Sequence, residues 1–489
     1  MVSSGSTIFT SRPSGSNSSE WFDRLGFFDL DINFMNAPST AALRRREQSA
    51  QAARILLYGV FGVLLVGPLA FGAVEPWSIF LLEAATSALF LLWVGKQVLD
   101  GEVKIRWNPL FLPMAAFGLL ILGQLIFRIT AYPHDTVALA LQYFCYGMLC
   151  FLAGQTLLRG SQARTLALVF SLYGAALAAF SLLQGISPNG RLYWVRLPRM
   201  GGWIYGPYVN HNHYAGLMEM LVPIPLVLSL TRLSSSKARA AAASAAAVMV
   251  GTIFLSGSRG GMLAIVAELV ILGVLLIKQK RGLRTAIGIG VFMALVIGIL
   301  AWIGGGELSR RIATVSPERS EITSDLRANI NRDGLRMFLK RPVLGWGLGA
   351  FPVVYPQFRT FYTNFFVNEA HNDYLQLLIE MGVLGFGTML WFLVVLYRRA
   401  IKKIGKWEAE MSGAVALACL LGLSGILVHS AVDFNLQIPA NAALFYVLCT
   451  VAAADPFAQP ARKRRAVRTK PPEEVLTPEQ ALPQSATNF

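Results

Sequence analysis

Five histidines occur in 489 residues, and one of them, His371, opens the hydrophobic run FFVNEAHNDYLQLLIEMGVLGF at 365–386. An imidazole, with a reference pKa of about 6.5, is the side chain best suited to move a proton near neutral pH. A plainer role is open too: Asn368, Asn372 or Asp373 can cap the following helix while His371 adds polar packing. Arg259 stands out next, in LSGSRGGMLA (255–264), between two apolar runs with almost no loop. Burying Arg at the centre of a membrane helix costs roughly 2.5–3.5 kcal/mol, so its natural place is the membrane boundary. There it either snorkels to the interface or holds a phosphate. For the second role Gly257, Gly260 and Gly261 permit close approach, and a helix start offers free N–H groups. A third stretch, RDGLRMFLKRPVLGWGLGAF (332–351), sets Arg332, Leu335, Arg336, Leu339 and Lys340 at helical spacing. Pro342 and the glycines of GWGLG then end the helix and turn the chain. GWGLG is not a dinucleotide fingerprint, because no strand–helix unit surrounds it. His211 and His213 form H-x-H without the carboxylate or thiolate companions of a metal site, so neither a metal nor another cofactor is expected.

These residues must be positioned by membrane helices. The chain is 54% hydrophobic and only 14% charged, with mean hydropathy +0.52, well short of the charge of a soluble domain. Runs of roughly 20 apolar residues suit a bilayer crossing. They fall near 55–73, 76–95, 109–127, 136–157, 165–184, 213–231, 240–257, 261–277, 285–305, 373–397, 411–429 and 439–454. The fold expected is therefore all-α, a polytopic bundle of about 12 spans. Cys145, Cys150, Cys419 and Cys449 lie in apolar runs and read as core residues rather than a disulfide framework.

Charge sets the topology. Arg44–Arg46 precede the first span, and basic residues follow every even-numbered one, ending with RKRRAVRTK at 462–470. Both termini are then cytoplasmic. The net charge of +16 follows from this bias and gives no reason to expect nucleic acid. Residues 1–50 read as a disordered cytoplasmic segment, 51–454 as the transmembrane domain and 455–489 as a basic cytoplasmic tail lying against anionic headgroups. Two long loops, about 185–212 and 306–372, face the other side, as do all five histidines. The second loop is rich in Arg, either as a solvated mixed-charge loop or as a site for a diphosphate. Glu83, Glu219, Glu268 and Glu380 fall within spans, where a carboxyl either partners a buried polar group or marks a proton path.

Taken in order, GPYVNHNHYAG (206–216), SGSRGG (256–261), an Arg-led helix before PVLGWGLGAF (342–351), AHNDYLQLLIEMGVLG (370–385) and HSAVDFNLQIPA (429–440) resemble the O-antigen ligase and polymerase superfamily of bacterial envelope glycosyltransferases. The resemblance covers roughly 205–440. It implies a GT-C-like bundle in the bacterial inner membrane, with the large periplasmic loop at 306–372 between spans 9 and 10 and a periplasmic, metal-independent site. The donor would be an undecaprenyl-pyrophosphate-linked glycan and the acceptor a sugar hydroxyl on a glycan or a lipid-linked chain. Polysaccharide co-polymerase or export proteins are the partners it suggests. Matched motif by motif, the resemblance makes Arg259, Arg332 and His371 catalytic. Arg341, Asn210, His211, Asn372 and Tyr374 would bind substrate.

The chemistry suits that trio. A departing diphosphate needs its charge neutralised more than it needs a proton, and Arg is always charged and binds phosphate in bidentate fashion. A sugar hydroxyl needs a base, which His371 supplies. The competing assignment is a transporter of lipid-linked oligosaccharide, for which the intramembrane glutamates speak and the lack of sequence-repeated halves speaks against.

Overall fold

In a bilayer every backbone N–H and C=O must find a partner within the protein, which leaves helices as the way for apolar runs such as these to cross. The computed structural model describes residues 40–157, 159–198, 202–278, 324–363 and 365–455, together with Gly290. Among them the only strand-like pairings are isolated bridges, Leu192 with Arg196 and Tyr205 with Tyr208.

Nine helical segments among the described residues are long and apolar enough to span a membrane. They are α1 (Thr40–Leu69), α2 (Pro76–Asp100), α4 (Pro133–Thr156), α5 (Gly160–Ile186), the pair α6 (His211–Leu221) and α7 (Pro223–Leu230), α8 (Ser236–Ser256), α9 (Arg259–Lys278), α11 (Asp373–Ile401) and α12 (Met411–His429). Two shorter apolar helices, α3 (Phe111–Ile126) and α13 (Pro439–Ala453), match further expected spans. One more helix, α10 (Ser324–Lys340), is amphipathic and stands outside the apolar set. The expected span at 285–305 lies outside the described residues, as do residues 1–39 and the tail from 456 onward. The N-terminal expectation needs one correction. Residues 40–50, assigned to a disordered segment, form the first turns of α1, because TAALRRREQSA is made largely of good helix formers.

The core runs through α12 and the α6–α7 pair, whose apolar windows are both 78% buried. Helices apolar on every face belong inside a bundle, and α6 is buried at each of its positions. The turns gather at two ends in the alternation read from charge. At one end Tyr193 donates to the Leu69 carbonyl, Arg196 pairs with Glu75 at 2.8 Å and Ala131 N–H donates to Trp346. At the other end Asn108 bonds the Thr450 carbonyl, Lys403 bonds those of Val451 and Ala454, and Arg232 meets Glu408. All five histidines lie at the first end.

A break in α11 prepares the site. Gly382 has φ +64, ψ −169 inside the helix, a conformation open to Gly alone. The loop PVLGWGLG docks against the break. N–H groups of Trp346 and Gly347 donate to the carbonyls of Ile379 and Glu380 at 2.9 and 3.0 Å, and Val383 N–H donates to Pro342 at 2.8 Å. From α3, buried Gln124 donates to the carbonyls of Leu344 and Glu380 and accepts from Leu348 N–H. The glycine motif is thus a docking surface, and it seats α10 over the start of α11. A hydrophobic cluster of Ile330, Met337, Phe351, Val354 and Ile379 completes the seat. Gln124→Leu would leave these buried groups unpaired, each at a cost of about 1–3 kcal/mol. The unfolding temperature of the purified protein in detergent should fall by several degrees; an unchanged value contradicts this docking.

Candidate active site

His371 adopts φ +52, a left-handed conformation that a non-glycine residue takes only when its surroundings impose it, at a cost of order 1–3 kcal/mol. The flanking bonds do so. Ala370 N–H donates to Gln376, Asn372 caps α11 by accepting from the N–H groups of Tyr374 and Leu375, and Asp373 N–H donates to the Ser430 carbonyl. The Asp373 carboxylate then grips the segment after α12, accepting from Ser430 Oγ at 2.8 Å, Leu436 N–H at 3.2 Å and Gln437 at 3.3 Å.

This clamp brings Asp433 to the imidazole. Oδ1 of Asp433 stands 3.5 Å from Nδ1 of His371, in ion-pair range though without the geometry of a hydrogen bond. Its other oxygen faces Arg327 of α10 at 3.7 Å, and Arg327 also donates to the Val432 carbonyl at 3.1 Å. Asp433 is 1% exposed and His371 8%. Burial pushes the Asp433 carboxyl up. Its contact with His371 and the charges of His213, Arg327 and His429 outweigh that and hold it well below the usual carboxylate range. Phe434 stands edge-on between two imidazoles, its centroid 4.7 Å from each of His213 and His371.

Arg259 approaches the same segment from another side. Gly257, with φ +77, ends α8, buried Ser258 bonds the N–H of Gly261, and Arg259 opens α9 with its side chain exposed. Buried Gly260 packs against the His429 ring so closely that a Cβ there would sit 2.4 Å from Nε2. The far nitrogen of His429 meets Glu219 at 3.1 Å. The glutamate thus has an intraprotein partner, the first of the two roles open to a carboxyl within a span.

Arg332 lies on the exposed face of α10, while Arg327 is the arginine of that helix that reaches Asp433. Arg341 donates to the Ile129 carbonyl at 3.1 Å and covers the Trp346 ring at 4.2 Å. Asn210 accepts from Asn212 N–H and contacts His213, His211 stacks on Trp203, and Tyr374 donates to the Leu427 carbonyl at 2.6 Å. His371 and the α9 start bearing Arg259 therefore meet around residues 429–433. Arg341, Asn210, Asn372 and Tyr374 spend polar atoms on holding local structure. Asp433 and Arg327 were not singled out from sequence. The signal for Asp433 was an acid in the motif HSAVDFNLQIPA, one residue type among several polar ones. Arg327 was one Arg among many in its loop.

Residues 244–390 match the protein-family model described as O-antigen ligase. That segment is similar to the O-antigen ligase/polymerase superfamily. No match occurs among curated proteins. The matched O-antigen ligase segment carries Arg259, Arg327, Arg332, Arg341 and His371, while Asp433 lies beyond it. The match supports O-antigen ligase/polymerase-type function in general, of the glycosyltransferase kind, and with the apolar helices it supports a multi-pass membrane protein.

Glu369, two residues before His371, supplies a pH test. Its side chain is partly exposed, but its carboxyl is enclosed. That burial, opposed by a bond from Gln376 and reinforced by Glu380 and Asp373, pushes its pKa from 4.5 up to about 8. A carboxyl raised in the folded state favours folding below its ordinary pKa and loses that advantage as pH climbs through the raised value. Wild-type protein should therefore lose thermal stability between pH 4.5 and about 8, and Glu369→Gln should flatten that part of the profile. Parallel profiles for the two proteins would contradict the assignment.

Proposed function

We propose that the protein transfers a glycan from undecaprenyl pyrophosphate to a sugar hydroxyl on the periplasmic side of the bacterial inner membrane, within a GT-C-like bundle. The contact of buried, strained His371 with buried Asp433 carries this reading. With Nδ1 turned toward Asp433, Nε2 is the nitrogen free to act as base. The carboxylate orients the ring and stabilises the imidazolium that forms, as in other acid–imidazole pairs. The acceptor O–H attacks the anomeric carbon. Its proton passes to His371, the carbon–oxygen bond to the diphosphate breaks, and the diphosphate leaves with the electron pair. Attack opposite the leaving group inverts the anomeric centre. Exposed Arg259 and Arg332, neither with a carboxylate partner among the described residues, supply fixed positive charge for the diphosphate. Arg327 is better read as a positioning residue, since its guanidinium is spent on Asp433 and the Val432 carbonyl.

The test uses purified protein in detergent with a synthetic undecaprenyl-pyrophosphate oligosaccharide and mass-spectrometric detection of product. His371→Ala, Arg259→Ala and Arg332→Ala should each abolish product with expression intact. Asp433→Asn, which keeps the shape and removes the charge, should lower turnover by about 10²- to 10⁴-fold, the range reported for orienting carboxylates and general bases. Near-normal turnover in His371→Ala refutes the base. A wild-type protein that forms no glycosidic bond and releases no diphosphate lipid favours the transporter assignment.

A further inference from the structure

A cavity of about 520 Å³ lies between α3, α4 and α11, and neither His371, Asp433 nor Arg259 lines it. On α3 its lining runs from Phe111 to Leu125, and on α11 from Leu377 to Phe392. Fourteen helical residues rise about 21 Å, so this is a groove along the helix axes rather than a round pocket. Its wall is almost wholly apolar, and two lining residues, Leu122 and Phe144, are 49% and 67% exposed. The groove therefore opens sideways, toward the hydrocarbon. Glycines help form it. A Cβ at Gly118 would meet nothing within 4 Å, and one at Gly147 would meet only the tip of Met114 at 3.9 Å.

Length and charge select the occupant. One leaflet of hydrocarbon is about 15 Å deep, and the groove exceeds it, so it suits a chain longer than an ordinary acyl tail. Its end at Leu125 and Leu377 is the end nearer His371. Just beyond, exposed Arg128 follows α3, and exposed Arg341 is tethered to the Ile129 carbonyl. No carboxylate among the described residues pairs with either guanidinium. An apolar slot longer than one leaflet, under two arginines that have no carboxylate partner among the described residues, is complementary to a long polyprenyl chain ending in a diphosphate.

This flank is not Arg259's. The helix that starts with Arg259, α9, packs chiefly on α12, α6 and α8, across the bundle from α3 and α4. Resting on the glycan-transfer reading above, we infer that the groove holds the polyprenyl chain of a second lipid-linked glycan, the acceptor. Arg128 and Arg341 meet its diphosphate while donor diphosphate sits at Arg259. The reaction is then polymerisation between two lipid-linked chains drawn in from opposite flanks.

The experiment is photo-crosslinking in nanodiscs with a photoreactive undecaprenyl diphosphate that carries no glycan, with labelled peptides mapped by mass spectrometry. Peptides of α3 and α4 should be labelled. The double variant Gly118→Phe, Gly147→Phe fills the open space and should cut that labelling by about tenfold or more, since excluding even two methylene groups is worth that much. Arg128→Ala with Arg341→Ala should also reduce it. Gly273→Phe adds the same bulk on α9, where a Cβ also meets nothing within 4 Å, and should leave labelling unchanged. Labelling that survives the filled groove, or that phosphatidylglycerol competes away as well as the polyprenyl lipid does, overturns the site. Loss of labelling with undiminished transfer between two lipid-linked chains overturns the acceptor assignment. Labelling needs no turnover, so a protein that binds in the groove but never forms a glycosidic bond counts against the glycan-transfer reading alone.

Discussion

A carboxylate taken out of water must be paired, and Asp433 is where this structure meets that requirement. An isolated ionised acid in a low-dielectric setting costs far more than a fold of marginal stability can absorb. Asp433 answers it with His371 on one oxygen and Arg327 on the other. Those two residues come from different parts of the chain, one at the start of α11 and one on α10. The acid thereby fixes the approach of a helix lying over the bundle to a residue at the membrane boundary. His213 and His429 add further positive character whenever they are protonated.

Below the clamp α11 is broken. Gly382 frees the carbonyls of Ile379 and Glu380, which would otherwise be tied into the helix, and PVLGWGLG takes them up. An interrupted membrane helix is tolerated where protein, not lipid, supplies the missing partners. Here Gln124 and the loop backbone supply them. The break thus ties Gln124 of α3 to the loop that seats α10. Strain at His371 belongs to the same construction, since the residues on either side are held both by α11 and by the segment after α12.

The groove beside α3 fits this organisation. Small residues at Gly118 and Gly147 keep open a slot that larger ones would fill, while tight contacts elsewhere, such as Gly260 against His429, leave no room at all. In the proposed reaction, lipid would approach on two flanks and chemistry would occur between them at the 429–433 segment. The arrangement gives physical meaning to an enzyme whose substrates are themselves membrane-bound.

Much of this could be read from residues in order. Apolar run length and the alternation of Arg and Lys identified ten helices to within about five residues of their observed ends, and α1 at its C-terminal end, because bilayer thickness and backbone satisfaction are local constraints. The sequence also singled out His371 and Arg259, since each is an ionisable group at an apolar boundary. It could not show that α1 starts at Thr40, because helix propensity in a polar segment is a weak signal beside disorder. Nor could it choose Asp433 and Arg327 from the other acids and arginines around them. That choice depends on contacts between residues about a hundred positions apart, and only the burial of Asp433 beside Arg327 makes the pair matter. Local chemistry decided which segments cross the membrane; tertiary packing decided which charges meet.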